Sequence, residues 1–245
     1  MGVSRDLATP ARALAIAAHP DDVEFGCGAT FAKWSASGAT CHHLVLTDGS
    51  KGSWDPRQNG SELIAERKRE QQAAAQALGC TGAVHFLERV DGELEADLVT
   101  RAEVARHIRE LRPDVVIGHD PWKRYRLHPD HRNAGLLAIE GVVAARDPHF
   151  FSDQRIDSWR PTAILLWEAD EVDHVEDVTG YVGAKLAALE AHTSQLRSTM
   201  GVIAGEPDEP AQRAAFARRV SDRLAAFGRQ AGVAYGEAFK LITDL

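Results

Sequence analysis

Two short segments carry the residue types from which a hydrolytic metal site is built: His19-Pro20-Asp21-Asp22 near the start of the chain and His128-Pro129-Asp130-His131 in its middle. Imidazole nitrogens and carboxylate oxygens are donors that a catalytic zinc takes in sets of three, with a fourth position left for water. His19 and Asp22 lie three residues apart in a turn stiffened by Pro20, a spacing that places both on one side, and His131 completes a set of two histidines and one carboxylate. Zinc held in this way lowers the pKa of water to roughly 7, so that hydroxide is available at neutral pH. Asp21, between two of the ligands, is then free to act as general base. His128 is placed to give a hydrogen bond or a proton to an oxyanion, with Asp130 fixing its tautomer. Either segment alone is weak evidence, because His, Pro and Asp are common in surface loops.

Their weight comes from the elements around them. Ala13 to Ala18 is a short continuous apolar run, as a central parallel strand buried on both faces would be. It ends at His19. Gly26, Gly28 and Thr30 open a helical stretch to about Ser37, and a second strand covers Cys41 to Leu46. A helix from Ser61 to Leu78 with Gly79 as its cap, a strand near Val84 to Leu87, a helix from Asp97 to Leu111 stopped before Pro113, and a strand over Asp114 to Gly118 continue the alternation. The second segment follows that fourth strand; a helix over His131 to Ala145, a fifth strand over Thr162 to Trp167 and two more helical stretches follow. This order predicts one α/β domain over residues 1–245, a Rossmann-like, doubly wound, mostly parallel sheet with helices on both faces. Ligands in such sheets bind beyond the carboxyl ends of strands, which is where both segments fall. A dinucleotide fingerprint is absent, and the acidic turn after the first strand would repel a pyrophosphate.

Composition narrows the partners. The formal net charge of -8 and pI near 5.8 disfavour nucleic acid and anionic membranes and leave a small-molecule substrate. Cys27, Cys41 and Cys80 are odd in number and widely spaced, which suggests neither a disulfide framework nor a thiolate zinc site. The first residues hold acids and a proline before a very short apolar run, unlike a secretory or membrane-spanning segment, so the expectation is a cytoplasmic protein. Apolar patches on the C-terminal helices leave room for a homo-oligomer. His42 and His43 are strand neighbours on opposite faces and make a poor chelate. His192 is placed on a helix from about Gly180, and neither it nor that pair joins the candidate site.

Taken together, AHPDDVEFGCGAT and HPDHR resemble the LmbE-like, or PIG-L, zinc de-N-acetylases. The likeness runs over most of the chain through LTDGSKGS, ERKRE, VDGEL, RPDVVIGHDP, AHTSQ and AYGEAF. It implies zinc, or another divalent transition metal, on His19, Asp22 and His131; Asp21 as base; His128 at the oxyanion or leaving group; Asp130 as its orienting partner; and Arg67 and Asp91 on substrate hydroxyls or phosphate. Tyr125 and Arg126 stand where the chain departs from some relatives. The implied activity is removal of an acetyl or other acyl group from an amino-sugar compound such as a GlcNAc-inositol, a GlcNAc-malate or a chitobiose. Specificity is expected in the loops Lys51 to Gly60 and Trp122 to Leu127. Alternatives are an amidase acting on a thiol conjugate or an antibiotic intermediate, and a non-catalytic zinc-stabilised α/β binding module. Asp21 argues against the last, since a structural site needs no spare carboxylate.

Overall fold

The computed structural model describes residues 2–245. Eight strands form one sheet: β1 (Ser4–Arg5), β2 (Arg12–Ala17), β3 (Thr40–Thr47), β4 (Val84–Arg89), β5 (Val115–His119), β6 (Ala163–Trp167), β7 (His174–Asp177) and β8 (Gly236–Ile242). They lie in the order β1-β7-β8-β6-β5-β2-β3-β4. All neighbours are parallel except that β8 runs antiparallel to both β6 and β7. Among the described residues six α-helices accompany them: α1 (Asp22–Ala36), α2 (Gly60–Ala77), α3 (Leu98–Leu111), α4 (Pro129–Arg146), α5 (Val182–Glu190) and α6 (Glu209–Ala231). None is long and apolar enough to cross a membrane.

Strand alternation divides the core into two layers. Ala13, Ala15 and Ala17 of β2 pack with Phe31 and Trp34 of α1, Ala74 of α2 and Ala188 of α5. Leu14 and Ile16 face the opposite way, against Val104 and Ile108 of α3 and Leu137 and Val142 of α4. The small residues on one side of β2 let the bulky aromatic residues of α1 approach.

The central strands and their helices lie within a few residues of expectation. Three features differ. Helix α1 begins at Asp22 rather than near Gly26, because Asp21 takes a left-handed conformation (φ 100°) that closes the turn directly after the strand. The glycines mark a kink at Cys27 inside that helix (φ -143°), not its start. Three strands, β1, β7 and β8, were not anticipated: the first two are short and polar, and β8 follows a long helix rather than a strand-helix alternation. His192 lies just past the end of α5 instead of on it.

Two close approaches bring the elements to the site. A Cβ at Gly26 would sit 2.4 Å from the Trp167 indole, and one at Gly135 would sit 2.5 Å from the His119 carbonyl oxygen. The missing side chains thus let α1 lie on the end of β6 and α4 on the end of β5. Strand β2 has β3 on one side and β5 on the other, so the chain reverses its direction of travel across the sheet at β2. The loops after β2 and β5 flank the resulting crevice.

The far end of α4 is held by Arg109 of α3, which is 1% exposed and donates to the carbonyls of Ala144, Ala145, Asp147 and Phe150 at 2.8–3.2 Å. These include the carbonyls that a helix leaves unpaired at its end. Replacing Arg109 with Met is expected to lower stability by about 3 kcal/mol in urea unfolding, since it strands several buried acceptors; a loss under about 1 kcal/mol would contradict this anchoring role.

Candidate metal centre

His19 leaves the carboxyl end of β2, Asp22 is the first residue of α1, and His131 lies in the first turn of α4. Their donor atoms converge. His19 Nδ1 is 3.2 Å from His131 Nε2, His131 Nε2 is 3.3 Å from Asp22 Oδ1, and His19 Nδ1 is 3.4 Å from Asp22 Oδ2. Ligand atoms held at about 2.0–2.1 Å by one tetrahedral ion stand about 3.3 Å apart. The residues therefore fit a divalent metal of zinc size, and they are one of the groups able to hold an ion.

The hydrogen-bond pattern leaves the right nitrogen free on His19. Its Nε2 faces Asp91 Oδ1 at 3.1 Å and Asp130 Oδ2 at 3.2 Å, so that nitrogen carries the proton and Nδ1 turns its lone pair to the cluster. Burial acts to lower the His19 pKa, but bonds to Asp130, Asp22 and Asp91 outweigh it and hold the value well above the usual range. Asp91 is braced by the Lys51 amide at 3.0 Å, and Asp130 by the amides of Gly92 at 2.6 Å and Leu94 at 3.3 Å.

Asp22 has a partner that sequence reading missed. His119, the last residue of β5, has Nε2 3.2 Å from Asp22 Oδ2 and receives the Trp167 indole N–H on Nδ1 at 3.0 Å. An indole can only donate, so His119 Nδ1 is unprotonated and Nε2 carries the hydrogen that it gives to Asp22. The Ala18 amide is 3.5 Å from the same nitrogen, too far to compete. Burial holds the His119 imidazole down to about 4 despite the attraction of Asp22, which keeps it neutral. His119 thus orients a carboxylate of the donor triangle rather than offering its own lone pair. The clue was its position at the end of a wholly apolar strand, VVIGH, in the crevice between β2 and β5.

Asp21 points into the same hollow and takes no part in the donor triangle. Burial pushes its carboxyl up to about 6, opposed by Arg67 and reinforced by Asp22. Arg67 Nη2 is 3.7 Å from Asp21, and its guanidinium also donates to the carbonyls of Gly49 at 2.9 Å and Pro20 at 2.5 Å. Arg67 and Asp91 both line the cavity, but Arg67 has already spent two of its donors on the backbone. The Asp21 amide donates to Gln71 Oε1 at 2.9 Å, and Gln71 Nε2 lies 2.8 Å from Glu24 and 3.1 Å from His43. Glu24 in turn meets His192 at 3.1 Å. His192 and His43 therefore support the floor under Asp21 from a fully buried network.

His128 caps α4 at the exposed rim, its ring 4.6 Å from that of His19. Its Nδ1 accepts the backbone N–H of Asp130 at 3.3 Å, which leaves the proton on Nε2. The expected orienting contact thus comes from the Asp130 amide, while the Asp130 carboxylate serves His19. Burial, with His19 and His131 adding to it, lowers the His128 pKa and keeps the ring neutral. Tyr125 is 88% exposed, whereas Arg126 pairs with Glu168 at 2.7 Å beside His131. His19, Asp21, Asp22, His119, His128 and His131 line a cavity of about 410 Å³.

Comparison with known proteins identifies the family. Residues 14–142, more than half of the chain, match the family described as PIG-L: GlcNAc-PI de-N-acetylase. The chain belongs to this family. A PIG-L relative named diacetylchitobiose deacetylase, from Thermococcus kodakarensis, is 36% identical over 75% of this chain and 70% of its own length. A second, named 1D-myo-inositol 2-acetamido-2-deoxy-alpha-D-glucopyranoside deacetylase, from Kineococcus radiotolerans, is 29% identical over 76% of this chain and 69% of its own. The solved N,N'-diacetylchitobiose deacetylase of Pyrococcus horikoshii superposes with a TM-score of 0.83 at 30% identity, covering 96% of this chain and 84% of that one. PIG-L membership makes this chain an amide hydrolase of the N-deacetylase type.

Two outcomes follow for this PIG-L chain. Trp167→Phe removes the indole donor that sets the His119 tautomer, and divalent-ion affinity in a competition titration with a chelating dye is expected to fall about 10-fold or more; unchanged affinity would contradict the orienting role. Burial holds the His43 imidazole down to about 4, with Glu24 opposing. The unfolded chain takes up that proton below about 6.5, so folding stability is lost as pH falls from there towards 4. His43→Gln should flatten this part of the urea-midpoint profile, and a parallel profile would show that His43 does not drive it.

Proposed function

We propose that the chain is a zinc-dependent hydrolase that removes the acetyl group from an N-acetylglucosamine-containing small molecule, with His19, Asp22 and His131 as the metal ligands. The observation that carries this reading is a three-donor cluster at tetrahedral spacing with a separate buried carboxylate, Asp21, beside it. A bound zinc ion, or another divalent transition metal, supplies Lewis acidity that polarises the amide carbonyl and makes water acidic enough to react near neutral pH. The cavity volume lies within the range of small-molecule sites.

The remaining work falls to side chains of this protein. Asp21 takes a proton from water as the water oxygen bonds to the carbonyl carbon; its raised pKa suits a group that must both accept and return a proton. His128, neutral and protonated on Nε2, donates to the oxygen on which negative charge develops. Asp21 then gives its proton to the nitrogen as the C–N bond breaks, because an unprotonated amide nitrogen is too basic to leave. Carboxylate and free amine are the products. Asp91 and Asp130 hold His19, His119 holds Asp22, and Arg67 holds Asp21. A zinc-stabilised binding module would leave Asp21, buried in a strained conformation, without a purpose.

Asp21→Asn keeps the shape of the site and removes the base. Zinc content measured by atomic absorption should stay at the unsubstituted level, while release of free amine from N-acetylglucosamine or diacetylchitobiose should drop at least about 100-fold. Full turnover by the variant would overturn the assignment of the base. Amine release by the unsubstituted protein should stop on chelation and return with zinc.

A further inference from the structure

The cavity over the metal centre continues past Trp167. A second hollow of about 380 Å³ adjoins it, and the two share Phe25, Trp167 and Arg223 in their walls. Its outer side is α6, which presents Phe216, Arg219, Arg223 and Phe227 at spacings of three and four residues, along one helical face. Phe25 meets Phe216 edge-on with centroids 6.3 Å apart, so aromatic rings border the passage between the two hollows.

The charges of this hollow do not cancel. Two carboxylates reach it and both are already paired, Glu168 with Arg126 at 2.7 Å and Glu237 with Lys185 at 2.5 Å. Three further cations line it without an acidic partner. Lys123 donates to the Glu168 carbonyl at 2.8 Å, Arg219 donates to the Met200 carbonyl at 2.6 Å, and the Arg223 guanidinium has no hydrogen bond or ion pair among the described residues. In a chain of formal net charge -8, such a concave cationic patch beside the reaction centre runs against the overall charge. Guanidinium groups match carboxylate and phosphate in geometry, and aromatic rings cover the apolar face of a sugar.

We propose that this hollow is a substrate subsite for an anionic group, a carboxylate or a phosphate, carried on the part of the amino sugar that remains after deacylation. The inference rests on the reading of the neighbouring centre as a deacetylase, and it moves specificity from the loops alone to α6. A neutral amino sugar would fill the catalytic cavity and leave the two arginines facing solvent and the rings of Phe216 and Phe227, over which they lie at 5.6 and 5.8 Å.

The test compares three ligands by isothermal titration on zinc-loaded Asp21→Asn protein, which keeps turnover out of the measurement: methyl N-acetylglucosaminide, N-acetylglucosamine 1-phosphate, and the N-acetylglucosaminide of glycolic acid. At least one anionic ligand should bind about 10-fold or more tighter than the methyl glycoside, as hydrogen bonds to charged groups predict. Which of the two gains more identifies the anion. The double substitution R219Q/R223Q, at exposed positions of α6, should bring that ratio close to one. Equal affinities before substitution, a ratio unmoved by it, or no detectable binding of either anionic ligand would overturn the subsite. Amine release from each of the three ligands by the unsubstituted zinc enzyme is scored separately. Turnover without anion preference sinks the subsite alone, and anion preference without turnover on any of the three ligands sinks the activity alone.

Discussion

Four carboxylates, those of Asp21, Asp22, Asp91 and Asp130, are each less than 10% exposed, and the last three lie within 3.4 Å of one imidazole, that of His19. Burying so much negative charge is costly unless positive charge lies within reach. Arg67 answers for one of the four, and His19, whose pKa is held well above the usual range, answers for one more, which leaves two without compensation. The arrangement makes sense around a divalent cation, which compensates the acids and converts their spacing into a coordination site. Every nearby element serves this constraint: amides of the loops after β3 and β4 brace Asp91 and Asp130, and His119 with Trp167 braces Asp22.

The fold supplies the constraint because its chain reverses at β2. The two loops that carry the acids and imidazoles leave adjacent parallel strands and must meet above the same edge of the sheet. Gly26 and Gly135 allow helices to press against the ends of β6 and β5, and Arg109 fixes the distant end of the helix that carries His131. Stability and chemistry are thereby joined. A loosening of α4 would move His128, Asp130 and His131 together.

Much of this was legible in sequence. The apolar runs over β2, β5 and β6 announce buried parallel strands, and the two histidine-proline-aspartate segments stand at their ends. What sequence did not show has physical reasons. His119 is one histidine at the end of an apolar strand, with no spacing partner nearby; only the fold brings it to Asp22, 97 residues away along the chain. The Asp130 carboxylate reaches across to His19 rather than to its neighbour His128, a choice set by the approach of β2 and α4. Strands β7 and β8 are short or antiparallel and break the alternation from which the other elements were read. Helix α6 is plain as an amphipathic segment, yet the hollow beneath its arginines exists only once the helix packs beside β8.

Metal-dependent hydrolysis at this site requires that His19, Asp22 and His131 share one divalent ion. Anomalous diffraction recorded at the zinc absorption edge from crystals grown with zinc addresses that directly. The expected result is a single strong peak at about 2.0–2.2 Å from His19 Nδ1, His131 Nε2 and an Asp22 oxygen. A peak held instead by His119 and Glu168, or no peak in the crevice at all, would contradict it.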